Sequence, residues 1–285
     1  MTNKEYEQYF QMIDEGKFDK AAEFRESFIP DILTKCMYLY DESNDEDGKN
    51  KEENEKRFYS LENNMLWLSP IDYLNDPYEF KGLYIDEIKL KEAGYPDKVI
   101  SAYKEFLSMQ AFGLVCLSGN GIDYLPMWAY YTNNHRGFCV EYEVVRKGAI
   151  HEVIYEPKRI PIASILIQLK DALKTSRAHG KSAPPEARKI ATMLQQNLYI
   201  KNKTWKHEQE YRIALPGIKR PGENKEINQL GLRVKRIIAG INCSPDHIER
   251  LNEISNKIGC GNIFTSSLSK TNYGIELHEY TKETH

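Results

Sequence analysis

No stretch of this 285-residue chain approaches the roughly 20 consecutive apolar residues that a membrane-spanning helix needs. The opening residues, MTNKEYEQYFQMIDEG, lack the apolar core of a secretory leader. A cytoplasmic protein with no membrane partner is expected. Cysteine is scarce: Cys36, Cys116, Cys139, Cys243 and Cys260 form an odd set with no C-x-x-C pair. Such a set excludes a thioredoxin-type motif or zinc ribbon and predicts reduced thiols. An excess of one charge is missing too. With 39 basic and 42 acidic residues interleaved, the formal net charge is −3. No global field therefore draws in nucleic acid or an anionic membrane, and only local patches are left. The chain has no G-x-S-x-G elbow, no G-x-x-x-x-G-K-[ST] loop, no G-x-G-x-x-G after a strand, and only WKHE where H-E-x-x-H would be needed. Ordinary hydrolase, P-loop and dinucleotide-fold chemistry are excluded, and no metal is expected.

What is present is the composition of a folded body, 28% charged and 41% hydrophobic, long enough to bury a sizeable core. Tyr6, Tyr9, Phe10, Ile13, Phe18, Ala21, Ala22 and Phe24 recur at helical spacing around Gly16, which predicts a helical hairpin over residues 1–30. Residues 31–285 read as a single α+β domain. A strand is expected in IPDILTKCMYLYDE, and a solvated, mobile loop in the charge run DESNDEDGKNKEENEK. In RFYSLENNMLWLSPIDYLNDPYE, Ser60 reads as a helix start, followed by a strand and an N-D-P turn. An amphipathic helical region spans 86–110. The strands AFGLVCLSGN and GFCVEYEVV come next, then a helical insertion over about 161–202, divided in two by HGKSAPPEA. EYRIALP, RVKRIIAGI, NIFTSSLS and IELHEY read as later strands, with a helix begun at SPDHIERLNEIS. Strands without regular βαβ alternation predict a split, mostly antiparallel sheet. The chain contains no internal repeat.

The stretch WKHEQEYRI raises the sharpest question. On a strand, Glu208, Glu210 and Arg212 would share one face while Tyr211, Ile213 and Leu215 pack on the other. Two acids on one face repel unless a ligand or cation uses their charge. The competing reading is a solvent-facing strand edge on which Arg212 neutralises a glutamate.

The ordered motifs N-D-P-x-E (Asn75, Asp76, Pro77, Glu79), M-W-x-x-Y with H-x-G (Met127, Trp128, Tyr131, His135, Gly137) and W-x-x-E-x-E-x-R (Trp205, Glu208, Glu210, Arg212) resemble a bacterial family. It is known as domain of unknown function twenty-nine seventy-one, and the resemblance covers about residues 30–245. A more distant resemblance is to ADP-ribosyltransferases, in which a late strand opens on an E-x-E-like pair. The departures are Leu117-Ser118-Gly119 in place of S-T-S, and no H-G-T or lone Arg on the first strand. That resemblance implies an ADP-ribosyltransferase-like split sheet, NAD as substrate, Glu210 as the catalytic acid and Glu208 as its partner toward the acceptor.

Cleaving the nicotinamide–ribose bond builds positive charge on the ribose, and a nearby carboxylate stabilises it. Arg57 is expected to grip the pyrophosphate. Tyr38, Tyr40 and Trp128 are candidate stacking partners, with Ser118 in the pocket and Asn75, Asp76 and His135 at its rim. Glu210→Gln is expected to leave NAD binding and slow the chemistry on the order of 100-fold or more with folding nearly untouched, and Glu208→Gln to impair transfer while leaving slow NAD hydrolysis. The expected role is an effector, a toxin or phage-defence protein, modifying a nucleic-acid or protein acceptor and held in check by an antitoxin or defence partner. The alternative is a non-catalytic nucleic-acid-binding or sensor module with Lys201, Lys203, Lys206 and Arg212 as its patch. A weaker third reading is a nuclease in which Asp76, Glu79, Glu208 and Glu210 converge on a divalent ion.

Overall fold

The computed structural model describes residues 1–108, 112–178, 191–192 and 194–281. Among these, the helices are α1 (Asn3–Asp14), α2 (Phe18–Glu26), α3 (Lys49–Glu62), α4 (Glu87–Glu92), α5 (Asp97–Ser108), α6 (Leu125–Tyr131), α7 (Ala163–Ala178) and α8 (Pro245–Lys257). The strands run β1 (Ile32–Met37), β2 (Met65–Pro70), β3 (Leu83–Tyr84), β4 (Phe112–Ser118), β5 (Phe138–Val144), β6 (Ile150–Glu152) and β7 (Ile154–Glu156). They continue as β8 (Ile160–Pro161), β9 (Ile200–Asn202), β10 (Glu210–Pro216), β11 (Glu223–Glu226), β12 (Leu232–Ala239), β13 (Phe264–Leu268) and β14 (Ile275–Glu279).

Local chemistry explains the ends of these elements. Thr2 and Glu5 form a capping box that starts α1, and α1 and α2 share a small apolar cluster of Tyr9, Ile13 and Ala21. The charge run is not the loop that its composition predicts. From Lys49 onward it is α3, which buries Asn54, Phe58 and Leu61, an i, i+4, i+7 stripe hidden among charges. Asn54 ties this helix to the preceding chain by accepting from the Tyr40 amide and donating to the Tyr40 carbonyl. Ser60 falls in the helix's last turn, not at its start, and donates to the Lys56 carbonyl at 3.0 Å. The helical region near 86–110 is two helices, separated at Gly94 by a left-handed residue. α7 begins the insertion, whereas the HGKSAPPEA divide and Ile190 lie outside the described residues.

The fold is mixed α+β around an open, largely antiparallel sheet. Its main path runs β11-β2-β4-β1-β5-β12-β13-β14, with β10 pairing both β4 and β6. Within it β12 and β13 run parallel and the other pairs antiparallel. β4 organises the whole. Along one edge it pairs fully with β10, from Glu210↔Ser118 to Pro216↔Phe112. Along the other it meets β2 only at Leu114 and Gly113, and β1 only at Ser118. Between those contacts the sheet divides, and a cleft opens over the edge of β4.

Alternation then sorts the side chains. Tyr211 and Ile213 join Val115 and Leu117 in the main core, while Glu210 and Arg212 stand over Ser118 and Cys116 on the cleft side. Cys36 and Cys139, directly opposed in the β1–β5 register with Cα atoms 4.2 Å apart, are paired as a disulfide. The expectation of reduced thiols is corrected at this pair, because register brings together residues 103 positions apart in a way that spacing does not reveal.

Candidate functional site

The cleft has a volume of about 280 Å³, at the small end of ligand sites, and its walls include Lys35, Ser118, Tyr131, Lys201, Glu208 and Glu210. Lys35 on β1 donates to the Cys116 carbonyl at 3.0 Å, spanning the gap where β4 lacks a strand partner.

Glu208 is not on the strand. It ends a 3-10 turn, Lys203–Glu208, and Gln209 then adopts φ 44° before β10 begins at Glu210. The three alternate positions on one strand are thus reduced to Glu210 and Arg212. Glu208 still reaches the same place because the kink swings its side chain inward. Its own carbonyl is fixed by the Ser118 hydroxyl at 2.6 Å. A solvent-facing edge is ruled out as well, since Glu208, Glu210 and Arg212 are all buried.

Buried acids must find cations, and these do. Lys201 Nζ lies 2.6 Å from Glu208 Oε2, 3.0 Å from Glu210 Oε2 and 3.6 Å from Glu79 Oε1. Arg212 grips Glu79 through both terminal nitrogens at 2.9 and 2.8 Å, and its Nε meets Glu210 Oε1 at 2.7 Å. The Tyr131 hydroxyl donates to Glu208 and accepts from Asn75 Nδ2 at 3.3 Å. The N-D-P-x-E motif explains how Glu79 gets there. Asp76 caps its own turn by accepting the Tyr78 amide at 2.8 Å, and the Asp76 carbonyl takes the Glu79 amide at 3.0 Å.

Three carboxylates thus share two cations. Burial pushes the Glu210 carboxyl upward, but Arg212 and then Lys201 outweigh it and hold the pKa at about 2. At Glu79 the balance falls the other way, and burial raises it despite Arg212. The Tyr131 phenol is pushed well up by burial and by its bond to Glu208, so it stays protonated. Lys35 is pushed down by burial, with no carboxylate within ion-pair distance.

The structure brings Glu210, Glu208, Ser118 and Asn75 to the cleft. It does not bring the others. Arg57 lies on α3 over the Tyr40 ring at 5.3 Å, and Tyr40 packs edge-on against Tyr38 at 4.7 Å, a cluster outside the cleft lining. Trp128 is core: α6 turns Met127 and Tyr131 into the cleft and Trp128 away, where its indole donates to the Ile122 carbonyl at 2.6 Å. His135 stacks on Trp128 at 6.2 Å in a turn whose residues Asn133, Asn134 and His135 all have positive φ. Gly137 follows because a Cβ there would sit 2.0 Å from the Met37 carbonyl oxygen. Asp76 is buried beneath the rim, with Oδ2 unpartnered. Of the four acids grouped for a divalent ion, three converge, but on Lys201 and Arg212. Among the described residues no group of three or more His, Cys, Asp or Glu is placed to hold a metal.

Sequence reasoning missed Lys35, did not place Lys201 or Tyr131 at a common centre with the acids, and brought Glu79 to Glu208 and Glu210 only as a ligand of a divalent ion. The available signal was the motif set itself: each motif delivers one member, Glu79 from the first, Tyr131 from the second, and Glu208, Glu210 and Arg212 from the third. No curated protein and no solved structure matches the chain. Residues 127–213, which hold Tyr131, Lys201, Glu208, Glu210 and Arg212 but neither Glu79 nor Ser118, match the model of the family described as protein of unknown function (DUF2971), and over this stretch the chain is similar to that family.

Proposed function

We propose that the chain is an NAD-consuming ADP-ribosyltransferase-like enzyme, a glycosyltransferase whose split sheet has the corresponding architecture. Its role would be that of an effector, a toxin or phage-defence protein that modifies a macromolecular acceptor. The observation that carries this reading is the ionised Glu210 on a cleft wall beside two further carboxylates, with acids exceeding the cations that hold them. A carboxylate kept charged in a buried setting suits stabilisation of a developing ribose cation and not proton exchange. A cleft of about 280 Å³ takes the nicotinamide riboside end, with the rest of NAD over the rim. Lys35, in the cleft wall and without a carboxylate within ion-pair distance, replaces Arg57 as the group for the phosphates, whose negative charge would favour its ammonium form.

In the reaction the C1′–N bond breaks and nicotinamide leaves with its electron pair. An acceptor lone pair bonds C1′, and the acceptor proton passes to Glu208, which Tyr131 and Lys201 orient. The specific observation favouring a non-catalytic module is that Arg212 and Lys201 together engage both oxygens of Glu210. Its basic patch must change, however, because Lys201 and Arg212 are buried. Incubation of the protein with labelled NAD and cell lysate, beside Glu210→Gln, decides between them. Wild-type nicotinamide release and label transfer that the variant loses support the enzyme, and NAD left untouched with every acceptor offered overturns it.

A further inference from the structure

A second groove adjoins the cleft through Lys201, which lines both. It has a volume of about 260 Å³ and is lined by Lys81, Lys158, Arg159 and Tyr78, with Glu156 as its acid. Its charge follows from topology. β7 and β9 are parallel neighbours with Glu156↔Asn202 as their last register pair, so both chains leave at the same end. One carries Lys158 and Arg159 into the groove, and the other carries Lys203 and Lys206 just past it, where they line a neighbouring cavity with Glu152 and Glu156.

All of Lys81, Lys158, Arg159, Lys203 and Lys206 are exposed. Among the described residues none forms an ion pair, in contrast to surface cations such as Lys91, Lys104 and Lys257. Arg159 and Lys81 are instead held by backbone carbonyls, Arg159 Nη2 on Leu83 at 3.2 Å and Lys81 Nζ on Pro77 at 2.7 Å, which leaves their charge unneutralised. One aromatic face borders the charge: Tyr78, in the groove wall, is 55% exposed, whereas half-buried Trp205 gives a ring face to the Lys201 ammonium, 4.9 Å from its centroid.

We infer that this groove is a track for single-stranded nucleic acid leading toward the Glu208–Glu210 cleft. Unpaired cations at a groove take a phosphate backbone, and flanking aromatic faces take unstacked bases. An acidic polypeptide would satisfy the cations but leave Tyr78 without a stacking partner. The inference deepens the proposed function by naming the acceptor class, and it rests on that reading only for the transfer step.

The test is fluorescence anisotropy without NAD, using labelled 12-nucleotide single-stranded DNA and RNA, a duplex of the same sequence, and polyglutamate as competitor. Micromolar binding of one or both single strands is expected, weaker for duplex, and declining linearly in log K with log salt. The double variant Lys158→Glu/Lys203→Glu, whose lysines make no side-chain hydrogen bond or ion pair among the described residues, is expected to weaken binding at least tenfold, and Tyr78→Ala about fivefold or more. Thermal melts of both variants confirm folding. The inference is overturned if neither strand binds, if duplex binds equally well, if polyglutamate competes as well as unlabelled strand, or if both folded variants bind like wild type. Strand binding by a protein that leaves NAD untouched would retain the groove and remove the enzyme reading.

Discussion

Glu141/Glu143 and Glu208/Glu210 have the same two-acid spacing, and the two pairs meet opposite circumstances. Glu141 and Glu143 stand on β5, and each meets one arginine of β12 directly across the ladder. Arg236 binds both oxygens of Glu141 at 2.7 and 2.9 Å, and Arg233 Nε meets Glu143 at 3.0 Å. Acid and base match one for one, and the arginines remain partly in water. Glu208 and Glu210 are separated by a left-handed residue, draw in Glu79 from a distant turn, and share two buried cations among three acids. Spacing alone therefore identifies nothing. A site arises where burial and an unequal charge count coincide, because only there does an electrostatic imbalance stay unscreened for a ligand to use.

The comparison breaks hardest at the arginines. Arg212→Leu strips the buried Glu79 and Glu210 of their shared partner, and removing one side of a buried ion pair costs about 3–5 kcal/mol. Urea unfolding should register that loss as a lower midpoint with an unchanged slope. A loss below about 1 kcal/mol would place the network in solvent-like surroundings and dissolve the contrast with β5.

Next in size is Glu210→Gln, which removes the charge and keeps the shape. On the proposed function, NAD turnover should fall on the order of 100-fold or more with little change in KM, because the charge would act on the transition state. Folding does not go untouched, contrary to what a strand-edge acid would predict. Arg212 and Lys201 lose the anion that compensates them, so a destabilisation of about 1–3 kcal/mol accompanies the kinetic loss. Glu141→Gln, the matched control, should leave NAD turnover unchanged.

Acid should distinguish the two acid pairs more gently. The Glu210 pKa in the fold is about 2 against an ordinary 4.5, so its contribution is complete above the ordinary value and disappears as pH falls through the folded one. Glu79, raised by burial, works in the opposite sense and blunts the fall. Unfolding midpoints measured from pH 5 down to pH 2 should therefore decline in wild type and decline less in Glu210→Gln. Equal slopes in the two proteins would remove Glu210 from the buried network.

How much of this was legible in sequence follows from what each inference needed. Alternation located β5 and β10, because a pleated strand with two unlike faces writes its period into the residues, and a continuous apolar run located β4, which is buried on both faces. The turn chemistry of Asn75-Asp76-Pro77 was readable for the same local reason. α3 was not, since three buried positions in a run of charge carry little weight by composition. Arg57, Tyr38 and Tyr40 were correctly charged and aromatic but lie outside the cleft, because type says nothing of direction. Trp128 faced the wrong way for a comparable reason: on α6 a single step of the helix separates it from the cleft-facing Met127. Lys35 stayed hidden, and Lys201 was read as part of an exposed patch, because a buried lysine is recognisable only from the acids or carbonyls that the fold gathers around it.

The smallest expected effect is at the outer pair. Arg233 is 67% exposed on its side chain and Glu143 41%, so their attraction acts through water and is screened by salt. Holding two long side chains in one geometry also costs rotamer entropy, which offsets part of the gain. Arg233→Ala should therefore change unfolding free energy by no more than about 0–1 kcal/mol, and the difference should shrink further in high salt. Arg212→Leu should keep most of its effect under the same salt, because its partners lie beyond the reach of counterions. Denaturant titrations of both variants at low and high salt check this, and an Arg233 effect as large and as salt-resistant as that of Arg212 would make the two acid pairs equivalent.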